Sequence, residues 1–391
     1  MKIIKLDFLD DLLLKEQMSL IYSGVVNAFS STILLEDSLQ KNDEKNIFIV
    51  KDVPGYLHTR IHPSYKVKKA FMYHGYSINL GKYKNFEEYL VKRFSSKRRS
   101  KHKTLKKRLE LCFNVQYKMY FGSMEKKEYD FLFDQLRLMI KRRFTLKKMK
   151  HSGWEKLDYY HNMIYLRIIE KKASIFVIYH DRKPISISIN LIEEDIYSGF
   201  MMAFDVDFSK FYLGFINILK QLEWCFENKF KLFDMMKGDL AYKMVFTDEK
   251  YYYQSQIVFP SKNQISRIVA NFLVLKVKLY YRSLHLLKKL KLHLIYRRLK
   301  ISFYGLLNQK ALANVQGEFM VKNIPKINSM SKLVKISIED DGYMDLRKPI
   351  YDFLYSSSEN INDIEVFESI DGTSYLVKGK NKNILLNAKL K

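Results

Sequence analysis

Residues 231–243 bring together side chains that could carry out acid–base chemistry. The segment reads Lys-Leu-Phe-Asp-Met-Met-Lys-Gly-Asp-Leu-Ala-Tyr-Lys, an apolar strand pattern that breaks at Gly238 and restarts as a helix. Gly238 permits a backbone conformation that other residues resist. Open α/β sheets bind ligands at the carboxyl ends of their strands. We therefore expect the polar side chains of this segment to converge on a ligand, and they are Asp234, Lys237, Asp239, Tyr242 and Lys243. A plain turn is the alternative, since Asp and Gly also favour turns.

Asp234 and Asp239 are the candidate general bases of such a site. A carboxylate with a pKa of about 4 is a poor base at neutral pH unless burial raises that pKa. Asp234 lies in an apolar frame, residues 232–236, that favours such a shift. The alternative is that Asp234 forms a buried ion pair with Lys237 or Lys243, which would hold the loop and do no chemistry.

Composition and motifs exclude several classes of protein. A hydrophobic content of 47% with 15% aromatic residues indicates a globular chain, and two cysteines in 391 residues give no disulfide framework. Asp7, Asp10 and Asp11 lie where a signal peptide would be apolar, and no uncharged apolar run reaches the ~20 residues of a membrane span. We therefore expect a cytoplasmic protein. The histidines and cysteines lack the spacing of a zinc site, so we expect no metal, and neither a Gly-x-Ser-x-Gly elbow nor a Walker loop occurs.

The net charge of +26 is distributed unevenly along the chain. Ten basic residues and no acid lie between Glu88 and Glu110, and thirteen basic residues and no acid lie between Glu249 and Glu318. Residues 311–391 are neutral, with 11 basic and 11 acidic residues. Fields of one sign on this scale attract nucleic acid, acidic lipid or a phosphorylated small molecule, and a well-solvated surface is the alternative.

Residues 263–300 predict a basic amphipathic helix. The large apolar residues that share one narrow stripe of its helical projection are Ile268, Phe272, Leu275, Leu279, Leu286 and Leu290. Lys278, Arg282 and Lys289 lie beside this stripe, as in helices that bind anionic membrane surfaces. A helix packed on the protein body is one alternative. Nucleic-acid binding is another, and the aromatic residues available to stack on bases are Tyr280, Tyr281 and Tyr296.

The predicted elements follow a recognisable order. They are strands between residues 47 and 80, a basic helix after the N-cap Asn85, helices at 125–143 and 159–172, strands at 173–180, 185–192 and 196–205, a helix at 215–229, a strand at 231–236, a short helix through Tyr242, and a strand at 251–259. Three meandering strands, a helix, a strand, a helix and a strand therefore occupy residues 173–259.

This order is the core order of the GNAT acyltransferases, and residues 76–260 resemble the branch named for cellulose-biosynthesis (CelD-type) acetyltransferases. The specific mark is the motif Phe233-Asp-x-x-Lys-Gly-Asp-x-x-Tyr-Lys243, and weaker marks are the turn Asp181-Arg-Lys-Pro184, the strand end Phe204-Asp205 and Gly214. The resemblance implies an α/β GNAT fold whose sheet splays between its fourth and fifth strands. It also implies that acyl-CoA enters this gap, with acetyl-CoA as the donor.

The loop that binds the pyrophosphate of CoA is implied by the same resemblance. GNAT enzymes use a Gln/Arg-x-x-Gly-x-Gly/Ala loop at a helix N-terminus, where free N–H groups and the helix dipole favour an anion. The corresponding stretch here is Ser209-Lys-Phe-Tyr-Leu-Gly-Phe215, which departs from the family spacing and has one glycine. The implied cofactor-binding residues are Lys210, Gly214 and Phe215.

The resemblance also implies catalytic roles in the motif. Tyr242 lies where GNAT enzymes keep a tyrosine that protonates the leaving thiolate, and Asp234 or Asp239 would be the base. The alternative for Tyr242 is a core aromatic residue, since the chain has 28 tyrosines. The implied substrate-binding residues are Lys237, Gly238 and Lys243. No other acyl-carrying nucleophile stands out, so transfer would be direct.

Four segments are predicted along the chain. Residues 1–120 would form a degenerate GNAT-like unit ending in a basic helix, and residues 121–260 the catalytic GNAT-like unit. Residues 261–310 would be a basic amphipathic helical segment, and residues 311–391 a small α+β appendage. Two GNAT-like units in tandem also resemble the Fem-type transferases that build peptidoglycan cross-bridges.

The expected function is acyl transfer from CoA to an amine or hydroxyl. By resemblance, the acceptor would be a sugar nucleotide, a glycolipid or an envelope polysaccharide precursor, handled in the cytoplasm or at the inner face of the membrane. One alternative is a Fem-like aminoacyl transferase that uses charged tRNA, which would give the basic surface a purpose. Another is a GNAT-fold module without catalysis that binds nucleic acid or a membrane.

Overall fold

The computed structural model describes residues 1–36, 46–149, 151, 153–307, 319–324 and 333–388. Numbered along the chain, its strands are β1 (Ile3–Asp7), β2 (Tyr22–Asn27), β3 (Ile33–Leu35), β4 (Ile47–Pro54), β5 (Leu57–Ile61), β6 (Tyr65–Asn79), β7 (Val115–Tyr120), β8 (Ala173–His180), β9 (Lys183–Glu193), β10 (Ile196–Phe204), β11 (Leu232–Lys237), β12 (Glu249–Pro260), β13 (Phe319–Ile324), β14 (Leu333–Ile336), β15 (Glu365–Ser369), β16 (Ser374–Lys378) and β17 (Asn383–Ala388). Its helices are α1 (Phe86–Arg93), α2 (Ser96–Cys112), α3 (Lys126–Leu146), α4 (Leu157–Ile169), α5 (Leu213–Glu227), α6 (Ala241–Phe246), α7 (Gln264–Lys289), α8 (Leu292–Leu307) and α9 (Met344–Ser357).

One nine-stranded sheet organises the protein. Its strand order is β1-β4-β12-β6-β11-β10-β9-β8-β7, and the pairs β1–β4 and β10–β11 are parallel while the other neighbours are antiparallel. Strands β8 to β12 and helices α5 and α6 follow one another in the predicted order. The α/β architecture predicted from the sequence is therefore confirmed.

The two halves of the chain share this sheet. Strand β12 lies between β4 and β6, and β7 closes the opposite edge beside β8. The predicted boundaries at residues 120 and 260 thus fall at the ends of strands that pair across the proposed division. The division into four segments remains a prediction.

Both predicted basic helices are interrupted. The helix after Asn85 ends at Arg93, and α2 begins after Ser95, whose hydroxyl accepts from the N–H of Arg98. Asn85 caps α1 as predicted, since its side chain accepts from the N–H of Glu88 at 2.9 Å. The second basic segment divides into α7 and α8 at Lys291, whose φ of 58° ends the first helix.

Helix α7 packs on the sheet through a face other than its large apolar stripe. Ala270 and Val274 are buried against a cluster that includes Ala70 and Ile257. The stripe points away from the body, because its six residues are each 52% to 68% exposed. Helix α7 therefore packs on the protein body, as one of the sequence alternatives held, but through the face that carries Ala270 and Val274. No helix in the described ranges is long and apolar enough to cross a membrane.

The C-terminal residues form a five-stranded sheet, in the order β13-β17-β16-β15-β14, together with α9. Helix α9 packs on the loop that follows β10: the ring centroids of Phe208 and Tyr351 are 4.6 Å apart, and those of Phe211 and Tyr355 are 5.1 Å apart. Residues 311–318, 325–332 and 389–391 of the predicted appendage lie outside the described residues. Through these contacts of α9, the appendage covers one side of the predicted pyrophosphate loop.

Candidate functional site

A gap opens in the sheet between β10 and β11. Their parallel register covers three residue pairs and ends at Ser198 opposite Asp234. Beyond this point β10 stays with β9 after a bulge near Gly199, while β11 follows β6 until Lys237 lies opposite Gly75. The two strands thus diverge at their carboxyl ends, as a GNAT sheet does.

Alternate residues of β11 face opposite sides of the sheet. Phe233 and Met235 pack in a cluster that contains Ile218 and Leu222 of α5. Asp234 points the other way, toward Tyr56 and Tyr251. The gap therefore has an α5 side and an Asp234 side.

The Asp234 carboxylate is buried and fully engaged. It accepts hydrogen bonds from the hydroxyl of Tyr56 at 2.8 Å, the hydroxyl of Tyr251 at 2.8 and 2.7 Å, and the N–H of Met236 at 2.7 Å. Burial raises the pKa of Asp234, although these hydrogen bonds and the charge of Lys243 oppose the shift. The direction is the one that the apolar frame predicted.

A pocket lies on the Asp234 side of the gap. Its residues come from both halves of the sheet and from a short helical segment at Phe8–Leu13: Phe8, Leu9, Leu13, Leu34, Asp52, Pro54, Tyr56, Leu57, Glu193, Ile196, Ser198, Asp234, Met236, Lys237 and Tyr253. Burial raises the pKa of Glu193 to about 7, although Arg167 and Lys172 oppose the shift. The pocket is thus mainly apolar and contains two carboxyl groups whose pKa values are raised.

The lysines of the motif hold the turn after β11. Lys237 forms an ion pair with Asp52, and the Lys243 amino group donates to the carbonyl of Lys237 at 2.6 Å and to that of Met236 at 3.4 Å. Burial lowers the pKa of Lys243 to about 8, while Asp234 and Asp239 oppose this shift. The hydrogen bonds of Asp234 come from two tyrosine hydroxyls and one backbone N–H, so the alternative in which Asp234 pairs with Lys237 or Lys243 is wrong.

Asp239 lies at the outer end of the turn. Its side chain is 45% exposed and accepts from the Tyr76 hydroxyl at 2.9 Å and from the Lys288 amino group at 3.2 Å. Burial raises the pKa of Asp239, but these two donors outweigh it and hold that pKa below its usual value. Of the two predicted bases, Asp239 is the weaker, while Gly238 adopts the positive φ of 110° that the turn requires.

The start of α5 lies on the other side of the gap. Tyr212 adopts a left-handed conformation with φ 54°, and the first N–H groups of the helix, those of Leu213 and Gly214, precede its first intrahelical hydrogen bond. A Cβ on Gly214 would contact the side chains of Phe204 and Met202 at 3.5 and 3.6 Å, so Gly214 faces the open end of β10. This end of α5 can receive an anion that reaches the gap.

The other two predicted cofactor-binding residues, Phe215 and Lys210, make contacts within the protein. The N–H of Phe215 donates to the carbonyl of Tyr212 at 2.8 Å, and its ring packs on His102 and Phe246. The Lys210 amino group lies 3.7 Å from the carboxylate of Asp352 in α9. Gly214 is the predicted residue with the geometry of a phosphate contact.

Tyr242 lies on the α5 side, in the cluster that includes Met202 and Phe215. Burial raises the pKa of Tyr242, and the nearby charge of Arg143 opposes that shift. The Arg143 guanidinium carbon lies 4.6 Å from the ring centroid of Phe204 at the end of β10. Tyr242 and Asp234 are therefore on opposite faces of the sheet, with the gap between them.

Several residues of the site were not identified from the sequence. Tyr56 and Tyr251 contact Asp234, and Glu193 shares its pocket, but tyrosines are too frequent in this chain to single out two. Glu193 gave no distinct signal either, since it is the last residue of β9, at the hairpin that leads into β10. Among the described residues, no group of three or more His, Cys, Asp or Glu is placed to hold a metal ion.

Comparisons with known proteins agree with this geometry. Residues 96–244 match the family model described as an acetyltransferase (GNAT) domain. A comparison with curated proteins finds no match.

Solved structures with similar folds have low sequence identity to this chain. FemX is 10% identical over 57% of this chain and 74% of its own, with a TM-score of 0.37. L-PGS from Bacillus licheniformis is 11% identical over 60% and 73%, with a TM-score of 0.33. The ribosomal-protein-S18-alanine N-acetyltransferase from Escherichia coli is 11% identical over 37% of this chain and 94% of its own, with a TM-score of 0.24. Residues 96–244 are thus similar to a GNAT acetyltransferase domain, and the α/β architecture is consistent with the GNAT fold.

Proposed function

We propose that this protein is an acyltransferase that moves an acetyl or other acyl group from CoA to an amine or hydroxyl. The observation that carries the proposal is the end of the β10–β11 pairing at Ser198 and Asp234. The gap beyond it joins a helix N-terminus on one face of the sheet to a pocket with raised-pKa carboxyl groups on the other. A thioester placed in the gap would be accessible to the N-terminus of α5 on one face and to the Asp234 pocket on the other.

On the α5 side, the N–H groups of Leu213 and Gly214 would receive the pyrophosphate, since a helix N-terminus favours an anion. Cations lie nearby: Arg143 is at the end of β10, and the Lys101 amino group lies 5.3 Å from the ring centroid of Tyr212. The carboxylates of Asp205 and Asp207 in the same loop are paired with Arg142 and so repel the phosphates less. The α5 side therefore carries the positive charge that would bind the phosphates of CoA.

On the Asp234 side, the pocket would hold the acceptor. Asp52, Glu193 and Asp234 favour an uncharged or cationic group and disfavour a phosphate at this point. The acceptor's nitrogen or oxygen would attack the thioester carbonyl carbon and lose a proton to Asp234 or Glu193. As the carbon–sulfur bond breaks, the Tyr242 hydroxyl on the opposite face would donate a proton to the departing sulfur.

The acceptor class follows the resemblance to the CelD-type branch: a sugar nucleotide, a glycolipid or an envelope polysaccharide precursor. Binding and transfer are tested separately. CoA should raise the melting temperature of the protein, which a module without a donor site would not show. Transfer of radiolabel from acetyl-CoA to an amino- or hydroxyl-bearing sugar nucleotide should then follow, and absence of both signals would overturn the proposal.

Aminoacyl transfer from charged tRNA is the second candidate. It is favoured by the exposed lysines and arginines of α2, a helix that reaches the start of α5 through Lys101 and Tyr212. The same assay with labelled aminoacyl-tRNA discriminates the two. Label transfer from aminoacyl-tRNA but not from acetyl-CoA would replace the first candidate by the second.

Glu193 should make the stability of the protein depend on pH. Its pKa is about 7 in the folded protein against 4.5 for the free side chain, so the folded state holds the proton more tightly. The stability from this group is complete at pH below about 4.5 and is lost as the pH rises through about 7. Glutamine does not ionise, so the Glu193→Gln variant should not lose this stability as the pH rises. The unfolding free energy of the variant minus that of wild type should therefore increase by up to about 3 kcal/mol between pH 5 and pH 8.5.

Denaturant unfolding of wild type and variant at both pH values measures this effect. Glu227→Gln, at an exposed position at the end of α5, is the matched control and should show the same difference from wild type at both pH values. A Glu193→Gln effect that does not change with pH would show that Glu193 is ionised across the range.

A further inference from the structure

Helix α7 has two opposite faces with different surroundings. Its inner face packs on the sheet through small and branched residues, with Ala270 and Val274 buried there. At 100° per residue, the stripe from Ile268 to Leu290 falls within about 60° on the side that faces away from Ala270. All six of its residues are more than half exposed. A row of large apolar side chains is therefore uncovered along the length of α7.

Helix α8 follows α7 after Lys291 and also exposes large apolar residues. Its exposed large residues are Leu292, Leu294, Ile295, Tyr296 and Leu299, each between 41% and 68% exposed. Single exposed apolar residues are normal, but the row of six along α7 is long enough to mark a surface that binds something apolar. We call the exposed stripe of α7 together with these residues of α8 the apolar ridge.

The charges beside the ridge identify what covers it. Lys278, Arg282 and Lys289 lie along one edge of the α7 stripe and Lys276 lies along the other. The chain contains no acid between Glu249 and Glu318, so neither edge carries a negative charge. Apolar side chains along the centre of a helix with cations at its edges fit a surface that is apolar below and anionic above, which is a bilayer with anionic headgroups.

We infer that α7 and α8 lie on the surface of an anionic phospholipid bilayer, with the apolar ridge inserted among the acyl chains. The ridge consists mainly of leucine and isoleucine, which have no use on nucleic acid, where flat aromatic rings stack on bases. Its lysines and arginines bind lipid phosphates at the level where the leucines end.

The candidate site lies beside this surface. Lys288 on the inner side of α7 contacts Asp239 at 3.2 Å, and the ring of Tyr281 packs against that of Tyr73 at 5.8 Å. The Tyr73 hydroxyl in turn donates to Asp52, which lines the Asp234 pocket. Docking would hold the pocket close to the headgroups, and the use of this position to receive a lipid-linked acceptor rests on the proposed function.

Sedimentation of the whole protein with phospholipid vesicles tests the docking without CoA or an acceptor. Vesicles that combine phosphatidylglycerol with phosphatidylcholine should bind the protein strongly at low salt, and less as salt screens the charges. Pure phosphatidylcholine vesicles should bind it much more weakly. Replacing Lys278, Arg282 and Lys289 together with glutamine should weaken binding about a hundredfold at low salt, since each cation contributes about fivefold.

A second variant tests the ridge itself. Leu275→Glu with Leu279→Glu should weaken binding at least about a hundredfold, because two side chains that enter the acyl region would become charged. Both positions are exposed, so the fold should be retained. Matched controls are Leu138→Glu with Leu166→Glu, which are equally exposed on α3 and α4, and glutamine at Lys5, Lys127 and Lys141, which removes the same charge elsewhere.

Controls that bind like wild type, beside two weakened ridge variants, would support the inference. Three results would overturn it: ridge variants that bind vesicles as wild type does, tighter binding to RNA than to vesicles at matched salt, or a stable dimer that Leu275→Glu with Leu279→Glu dissociates while vesicles bind nothing. Loss of acyl transfer with vesicle binding intact would instead count against the proposed function alone.

Discussion

Asp234→Asn should lower turnover by about 10²–10⁴-fold, the range typical of a general acid–base group, while CoA affinity stays close to that of wild type. Asparagine has the shape of aspartate, and its oxygen can still accept from the N–H of Met236. The hydroxyls of Tyr56 and Tyr251 can turn to accept from the new amide group. The fold should therefore survive while the proton acceptor is lost. Steady-state kinetics and calorimetry with CoA measure the two effects.

Two further variants separate a chemical role of Asp234 from a structural one. Tyr251→Phe keeps the carboxylate but removes a donor that holds its pKa down, so the pH at which activity begins to fall on acidification should rise. Asp181→Asn, at an exposed hairpin turn, is the matched control and should leave kinetics unchanged. Soluble Asp234→Asn with wild-type turnover would leave Glu193 as the base, and an insoluble variant would favour a structural role.

The sequence predicted the local parts of this site and missed its long-range parts. The strand, the break at Gly238 and the short helix occur where the pattern placed them, because each is decided by neighbouring residues. The apolar frame also predicted the direction of the Asp234 pKa shift. Tyr56 lies 178 residues from Asp234 along the chain, and no periodicity relates the two. The alternative in which Asp234 forms an ion pair fails for the same reason, since Lys237 pairs with Asp52, which is distant along the chain.

Helix α7 shows a second limit of pattern analysis. The hydrophobic projection located the stripe of large residues correctly, but it could not tell which face of the helix meets the sheet. Ala270 allows the helix to approach the sheet closely, so packing favours the face with small and β-branched residues. The largest apolar residues, such as Phe272, remain outside. In this chain the stripe that the projection identified lies outside the core.

Gly214→Asp should weaken CoA binding by at least about tenfold, or about 1.4 kcal/mol. The substitution places a carboxylate at the start of α5, where the pyrophosphate is proposed to bind, so the two negative charges would repel each other. The position has room, because a Cβ there meets Phe204 and Met202 at ordinary contact distances. An acid near a helix N-terminus also stabilises the helix, so the fold should not suffer. Calorimetric titration with CoA measures the loss.

Gly214→Asn is the matched control, since asparagine has the same size and no charge. It should bind CoA more tightly than Gly214→Asp does, and the difference in affinity between the two variants should decrease as salt screens the repulsion. This salt dependence separates electrostatic repulsion from crowding, which salt would not relieve. Equal CoA affinity of wild type, Gly214→Asn and Gly214→Asp would place the donor away from α5. Helix α9 already covers the far side of the same loop through contacts with Phe208 and Phe211. With that side covered, such a result would exclude the open end of β10 as the entry for CoA.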